Sequence, residues 1–412
     1  MTLTGLAFAY ARRRPLATAL VVALAALGVA IATVTLLVTR ELGERLHRDA
    51  RGIDLVVGAK GSPLQLVLSG VYHVDVPPGN IPSGALAELR AHPMVAGVIP
   101  LALGDSFRGF RIVGTEPALI EHYGARLAEG AVFRRPMEAV IGSEVARRSG
   151  LGIGGRFAGA HGLAEGGGEH GETPYAVTGV LAPTGTVVDR LVLTPVESVW
   201  AVHDAHHGAD DPGDVRSGPR SKERQPGAAH EPRELTMLLV RYRSPLAAAS
   251  LPREINKSSA LVAASPAYET ARLFTVFGVG LDLVRAFAAI LVGASLLLLF
   301  VALAQALDER RYDLAILRTL GARRSGIVWV LTAESLALAA TGALGGLLLG
   351  HAALAVLAAW LPVAAPLAPA AWRFVPEEGA LLALALGGGI LAAAWPAWRA
   401  ARMDVAATLA DG

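Results

Sequence analysis

Leu307–Gly350 reads LDERRYDLAILRTLGARRSGIVWVLTAESLALAATGALGGLLLG. A short charged segment with apolar residues at helical spacing runs through Gly321 into a long apolar stretch. Gly321 suits the C′ position that ends a helix. The apolar stretch, about Ile327–Leu361, exceeds the roughly 20 residues that span a bilayer. The pattern is that of a membrane helix preceded by an amphipathic helix at its surface.

Three further apolar stretches accompany it. Residues 16–39 form the first, behind Arg12, Arg13 and Arg14. A cleavable signal peptide with Ala30-Ile31-Ala32 as its cleavage site is the competing reading. The apolar run continues past that site and is longer than the roughly 7–15 residues of a signal core, which favours a span. The second lies near the end of 266–307, and the fourth is 379–398. Trp360, Trp372, Trp395 and Trp398 fall near their ends, as interfacial aromatics do. The whole chain is 53% hydrophobic and only 17% charged, against about 25% charged in an ordinary soluble domain. The expected fold class is therefore a membrane protein: four transmembrane α-helices with a large extracytoplasmic α+β domain between helices 1 and 2.

Orientation follows from arginines beside the spans. Arg12, Arg13, Arg14, Arg310, Arg311, Arg318, Arg323, Arg324, Arg399 and Arg402 share one side, whereas the loop between spans three and four carries Arg373. The positive-inside rule then makes 1–15, 308–326 and 399–412 cytoplasmic, with both termini inside, and 362–378 extracytoplasmic. The segment 40–265 lies outside.

That outer segment opens as a charged helical extension of span one. Strands are expected at Ile53–Val57, Phe110–Gly114, Ala139–Gly142, Tyr175–Leu181, Arg190–Leu193, Leu235–Tyr242 and Ala260–Ala264. Helices are expected at Ser83–Ala91, Glu144–Gly150 and Leu246–Ile255. Residues 210–233 are rich in Gly, Pro and charge, with almost no large apolar residue, and read as a mobile loop. From Pro266 the chain turns helical to about Leu307, with Gly278 and Gly280 weakening continuity. Such a helix exceeds the bilayer thickness and is expected to project as a stalk.

Several chemistries are closed. Without Cys there is no disulfide, thiol nucleophile or zinc-thiolate site. A net charge of +2 does not suggest a nucleic-acid partner. Gly58-Ala59-Lys60-Gly61-Ser62-Pro63 is no phosphate loop, because none of Lys60, Lys222 and Lys257 follows a glycine. It reads as a turn after a strand. G-x-S-x-G is absent, and Glu377 and Glu378 adjoin a membrane span, so no catalytic constellation is identified. His203, Asp204, His206 and His207 could bind zinc, but a polar loop holding histidines by composition is the preferred reading.

Three features remain as site candidates. Arg310, Arg311, Leu314, Leu317, Arg318 and Gly321 form an amphipathic surface suited to a groove on a partner or to membrane lipids. Gly342, Gly346 and Gly350 recur every four residues, the small-xxx-small pattern that lets helix backbones approach. Glu334 is an intramembrane carboxylate about two turns from the cytoplasmic end, expected to reach back toward Arg323, Arg324 or headgroups.

These residues carry a resemblance. Leu307–Gly350 resembles the region from span two to span three of MacB/FtsX-type ABC transporter permeases, and PAWRAARMDVAATLADG at Pro396–Gly412 is similar to their closing segment. GIDLVVGAKGSPLQLVLSGVYHVDVPPGNIP, MEAVIGSEVARRSGLGIGGRF and YAVTGVLAPTGTVVDR are similar, more loosely, to the outer domain of a subgroup. The resemblance implies a bacterial inner-membrane protein with four spans per subunit, paired with a second permease copy, most simply as a homodimer. It implies a MacB-like periplasmic core domain, with about 136–230 as an inserted subdomain. It also implies a separate ATPase subunit holding ATP and Mg, docked on Arg310–Gly321 as a coupling helix, and a periplasmic adaptor or substrate-binding protein. No cofactor is expected on this chain itself. Export or mechanotransmission is the expected function. A regulatory scaffold for an extracytoplasmic enzyme and a metal-linked transporter using the histidine-containing loop stay open as alternatives.

Overall fold

The structure, a computed structural model, describes residues 15–161, 174–207, 233–309, 311–321, 323–361 and 371–403. The expected mobile loop therefore lies almost wholly outside the described residues, as do Arg12, Arg13, Arg14 and Arg310. The chain divides into two units, Met1–Gly43 with Thr275–Gly412, and Glu44–Phe274.

The first unit is built on four helices long and apolar enough to cross a membrane: Pro15–Ala50, Pro266–Glu309, Arg324–Trp360 and Pro376–Ala401. The first two also run on into the second unit's residues. Gly278 and Gly280 do not interrupt the second helix, and no neighbouring atom crowds either one. The cost of a helical glycine, about 1 kcal/mol, is small beside the apolar run that follows.

Small residues set the packing inside this unit. A Cβ on Gly342 would lie 2.7 Å from Ala25 Cβ, one on Gly346 2.5 Å from Ala26 O, and one on Gly350 3.0 Å from Ala30 O. Spans one and three thus meet backbone to backbone along this stripe. Gly389 does the same for spans three and four, where a Cβ would come 2.8 Å from Ala339 Cβ. Beside it the Ser335 hydroxyl donates to Gly389 O at 2.6 Å.

The second unit is an α+β fold on a sheet of eleven strands among the described residues. The strands are β1 (Leu55–Ala59), β2 (Ile81–Pro82), β3 (Val95–Phe107), β4 (Phe110–Thr115), β5 (Leu127–Gly130), β6 (Glu138–Ile141), β7 (Arg156–Phe157), β8 (Ala160–His161), β9 (Tyr175–Leu181), β10 (Leu191–Pro195), β11 (Glu234–Leu235), β12 (Met237–Tyr242) and β13 (Leu261–Ala264). The main order is β13-β1-β12-β3-β4-β10-β6-β9-β5, while β2 and β11 pair separately. β1 is buried on both faces: Val56 joins one apolar cluster, and Leu55 and Val57 join another. Leu66 and Val67 of helix Pro63–Gly70 pack in the first cluster; Leu89, Leu251 and Ile255 of helices Gly84–Ala91 and Pro245–Ser258 pack in the second.

β3 is the strand on which the sheet turns. Its Val95–Leu101 part pairs with β12, and Ala102–Phe107 pairs with β4, with a register shift between Leu103 and Ser106. The region expected as an insert, 136–230, is not a closed sheet of its own. Val192 pairs with Ile141 inside it, but Leu191 pairs with Arg111 outside it. The turn expected at Gly58–Pro63 follows β1, and Ser62 Oγ accepts from Gln65 N at the start of a helix, Pro63–Gly70, that was not among the expected elements. One expectation changes. The histidine-containing segment is the end of helix Val196–His207, not a loop, because Val196, Val199 and Val202 recur on one buried face.

Candidate functional site

The short helix Arg311–Thr319 follows the second span after residue 310 and precedes the third. Its anchoring is visible residue by residue. Ala315 is fully buried, and Leu314 packs against a cluster of Leu307, Ile327, Leu331, Ala397 and Ala400. Arg311 donates to Asp308 at 2.7 Å, and Arg399 of the fourth span approaches the same carboxylate at 3.6 Å. The Arg399 guanidinium also lies 5.3 Å over the Trp395 ring. Leu320 N donates to Ile316 O, and Gly321 closes the helix at a φ of 96°, in the left-handed region.

What this anchoring leaves outside is an apolar stripe. Tyr312, Ile316 and Leu320 stand at i, i+4 and i+8 and are 49%, 38% and 79% exposed. Residues at that spacing share one helix face. Of the sequence candidates, Leu314 and Arg311 face the unit's own side chains. Arg318 is half-buried, with Nη1 enclosed and without a hydrogen-bond partner. The side chain of Leu317 and all of Arg310 lie outside the described residues. Tyr312 was not among the candidates; the signal for it was the i, i+4, i+8 series itself.

The other candidates are placed as follows. Gly342, Gly346 and Gly350 lie against span one. Glu334 is buried beside Ser335 and is 8% exposed. His203, His206 and His207 end the helix Val196–His207, and their side chains lie outside the described residues. Among the described residues, no three His, Asp or Glu side chains gather as a metal site.

The outer unit has a shallow cavity of about 300 Å³ lined by Gly52, Gly97, Glu121, His122 and Arg241. Burial lowers the His122 pKa, and the Arg241 charge adds to the effect. His73 is more strongly perturbed: burial, with Arg111 and Arg190 beside it, pushes its pKa down to about 3.

Comparison with known proteins fits both units. The MacB-like periplasmic core domain family matches residues 18–258, and the FtsX-like permease C-terminal family matches residues 285–405. The chain belongs to the MacB/FtsX-type ABC transporter permeases. It is thus a permease component of the ABC transporter type and a multi-pass inner-membrane protein. Members of this family work with ATPase subunits and carry no catalytic motif of their own. Two solved structures are similar to the permease. The periplasmic region of MacB from Actinobacillus actinomycetemcomitans is 12% identical, covers 54% of this chain and 95% of its own, and has a TM-score of 0.34. The extracellular domain of the noncanonic ABC-type transporter YknZ from Gram-positive bacteria is 12% identical, covers 51% of this chain and 98% of its own, and has a TM-score of 0.30. No curated protein matches the chain.

Proposed function

We propose that this permease receives the work of ATP hydrolysis from a separate ATPase subunit through the helix Arg311–Thr319. The observation that carries the reading is the exposed stripe Tyr312, Ile316 and Leu320 on a helix whose opposite face is fixed by Leu314, Ala315 and the Asp308–Arg311 pair. An apolar helix face with basic neighbours fits a hydrophobic groove on a partner. ATP and Mg belong to that partner. In this reading the arginine-rich ends of the spans face the cytoplasm, both termini are inside, and two copies of the permease pair around two ATPase subunits.

Movement of the outer unit, rather than passage of cargo through one copy, is the better supported mode. Spans one and three meet along Gly342, Gly346 and Gly350 with no room for even a methyl group, so a passage between them would have to dismantle that contact. The outer unit would then act on a periplasmic adaptor, a substrate-binding protein or an extracytoplasmic enzyme. The test is Ile316→Asp, alone and with Leu320→Asp, scored by co-purification of the ATPase and by its turnover in the complex. Each aspartate places a charge in the proposed groove while leaving Leu314 and Asp308 untouched. Loss of association is expected, and unchanged association and turnover would remove the assignment.

A further inference from the structure

The outer unit carries a cavity that transfer of work from an ATPase does not use. Helix Ala118–His122 packs on one face of the sheet, where its Leu119 and Ile120 join the apolar cluster of Val56, Leu101 and Leu239. Along that face β12 and β3 present opposed pairs two residues apart. Leu239 stands opposite Ile99, and Arg241 stands opposite Gly97. Opposed residues share one side of a sheet, with Cβ atoms about 4.5–5.5 Å apart. The first pair packs against the apolar cluster. The second leaves a place empty, because Gly97 has no side chain.

A Cβ on Gly97 would meet nothing within 4 Å, and Gly97 is not among the glycines at positive φ. Neither crowding nor backbone conformation therefore calls for glycine here. A glycine inside a strand otherwise marks a bulge or a place that a ligand approaches. The ladder does shift register next to it, between Arg241 and Tyr242. Bulges often stand beside sites, where they re-aim a side chain.

The empty place belongs to the cavity of about 300 Å³. Two of its lining residues are charged, Arg241 from the sheet and Glu121 from the helix, and both are exposed. Neither side chain has a hydrogen bond or ion pair with another described residue. Burial, with the Arg241 charge beside it, keeps the His122 ring neutral at pH 7. One positive and one negative group thus share the cavity with the apolar side chains of Ile53, Ile99 and Leu239.

A guanidinium takes a carboxylate or phosphate through paired hydrogen bonds, and a carboxylate takes an ammonium group. Small-molecule cavities start at about 300 Å³, so this one suits a ligand of about dipeptide size or less. We infer that the cavity is a binding site for a small zwitterion, its anionic group on Arg241 and its ammonium group on Glu121. Free amino acids and short peptides carry that pair of groups, and so does the phosphoethanolamine headgroup of a lipid. The site lies within the outer unit, so its reading stands or falls apart from ATPase docking.

The test uses the full chain in nanodiscs of phosphatidylglycerol, a lipid without an ammonium group, and isothermal titration calorimetry. The probes are alanyl-leucine and phosphoethanolamine. Each is paired with a form lacking the ammonium group, N-acetyl-alanyl-leucine and ethyl phosphate. At least one zwitterion should bind the wild type, and its partner probe should bind at least about tenfold more weakly. Which zwitterion binds separates a peptide source from a lipid headgroup. Glu121→Gln should erase the preference for the ammonium-bearing probe. Arg241→Gln should weaken both members of the pair, by about tenfold or more. Gly97→Ile fills the empty place and should abolish binding, with the melting temperature of the unliganded chain unchanged or raised, since isoleucine favours strands. Should that variant not fold, the two substitutions at exposed side chains still decide. No binding of either zwitterion to the wild type, equal affinity for the probes with and without the ammonium group, or undiminished binding in any of the three folded variants overturns the inference.

Discussion

Two adjacent glycines of the third span separate packing from propensity. A Cβ on Gly346 would come 2.5 Å from Ala26 O, 2.7 Å from Val29 Cβ and 3.0 Å from Ala26 Cα, two of them backbone atoms of span one. A Cβ on Gly345 would meet nothing within 4 Å. Replacing a helical glycine by alanine gains about 1 kcal/mol of helix propensity at either position. At Gly346 the added methyl must push two helices apart, and overpacking of this kind costs about 1–3 kcal/mol, more where backbone cannot yield. Gly346→Ala should thus be destabilised by up to about 2 kcal/mol net and Gly345→Ala stabilised by up to about 1. At about 2–4 °C per kcal/mol the two variants should melt up to about 6–12 °C apart, with wild type between them. Thermal unfolding of the full chain in one detergent, followed by tryptophan fluorescence, reads this directly. Equal shifts for the two variants, or a Gly346→Ala protein more stable than Gly345→Ala, would refute the close contact of spans one and three.

Other expectations concern smaller groups of atoms. His73→Asn should flatten the acid limb of the outer unit. The folded histidine titrates at about 3 against an ordinary 6.5, so the neutral ring contributes stability that is present above 6.5 and lost as pH falls toward 3. The loss is readable in acid-unfolding curves, and asparagine tolerates the φ of 54° at this position. Asp189→Ala should cost about 1–3 kcal/mol, because its carboxylate accepts from Thr184 N, Thr184 Oγ1 and Gly185 N, and hydrogen exchange should rise in peptides covering 182–190. Ser335→Ala should cost about 1 kcal/mol in the same melting assay, through loss of the hydrogen bond to Gly389 O.

Much of this architecture is legible in the chain because membrane spans announce themselves by length and apolarity, and because Tyr175–Leu181 alternates buried and half-buried residues as a strand should. β3 is not legible in that way. Gly97, Pro100 and Gly104 interrupt VAGVIPLALGDSF and read as breakers. The structure tolerates Pro100 because it pairs with Leu238 on one side, while β4 begins its own pairing only at Ala102. Helix Pro63–Gly70 carried a signal, a serine followed by proline at N1, that was overshadowed by the glycines before it. At the helix Arg311–Thr319, periodicity identifies an amphipathic segment but not which face is spent on the chain's own spans; that depends on Ile327, Leu331 and Ala397, distant in sequence. His351 and Glu378 are 27 residues apart, and only the fold brings them to 3.2 Å.

β3 has a consequence for anyone wishing to take this permease apart. Because one continuous strand closes both parts of the outer sheet, a graft that does not follow the change of partners within β3 would expose unpaired backbone. A chimera that exchanged 136–230 alone would leave β4 and the far half of β3 facing foreign edges. One that exchanged everything from Ala102 to Pro195 would cut the ladder at the one place where its partners already change. Specificity borrowed from a relative should therefore be transferable in the second form and lost in the first.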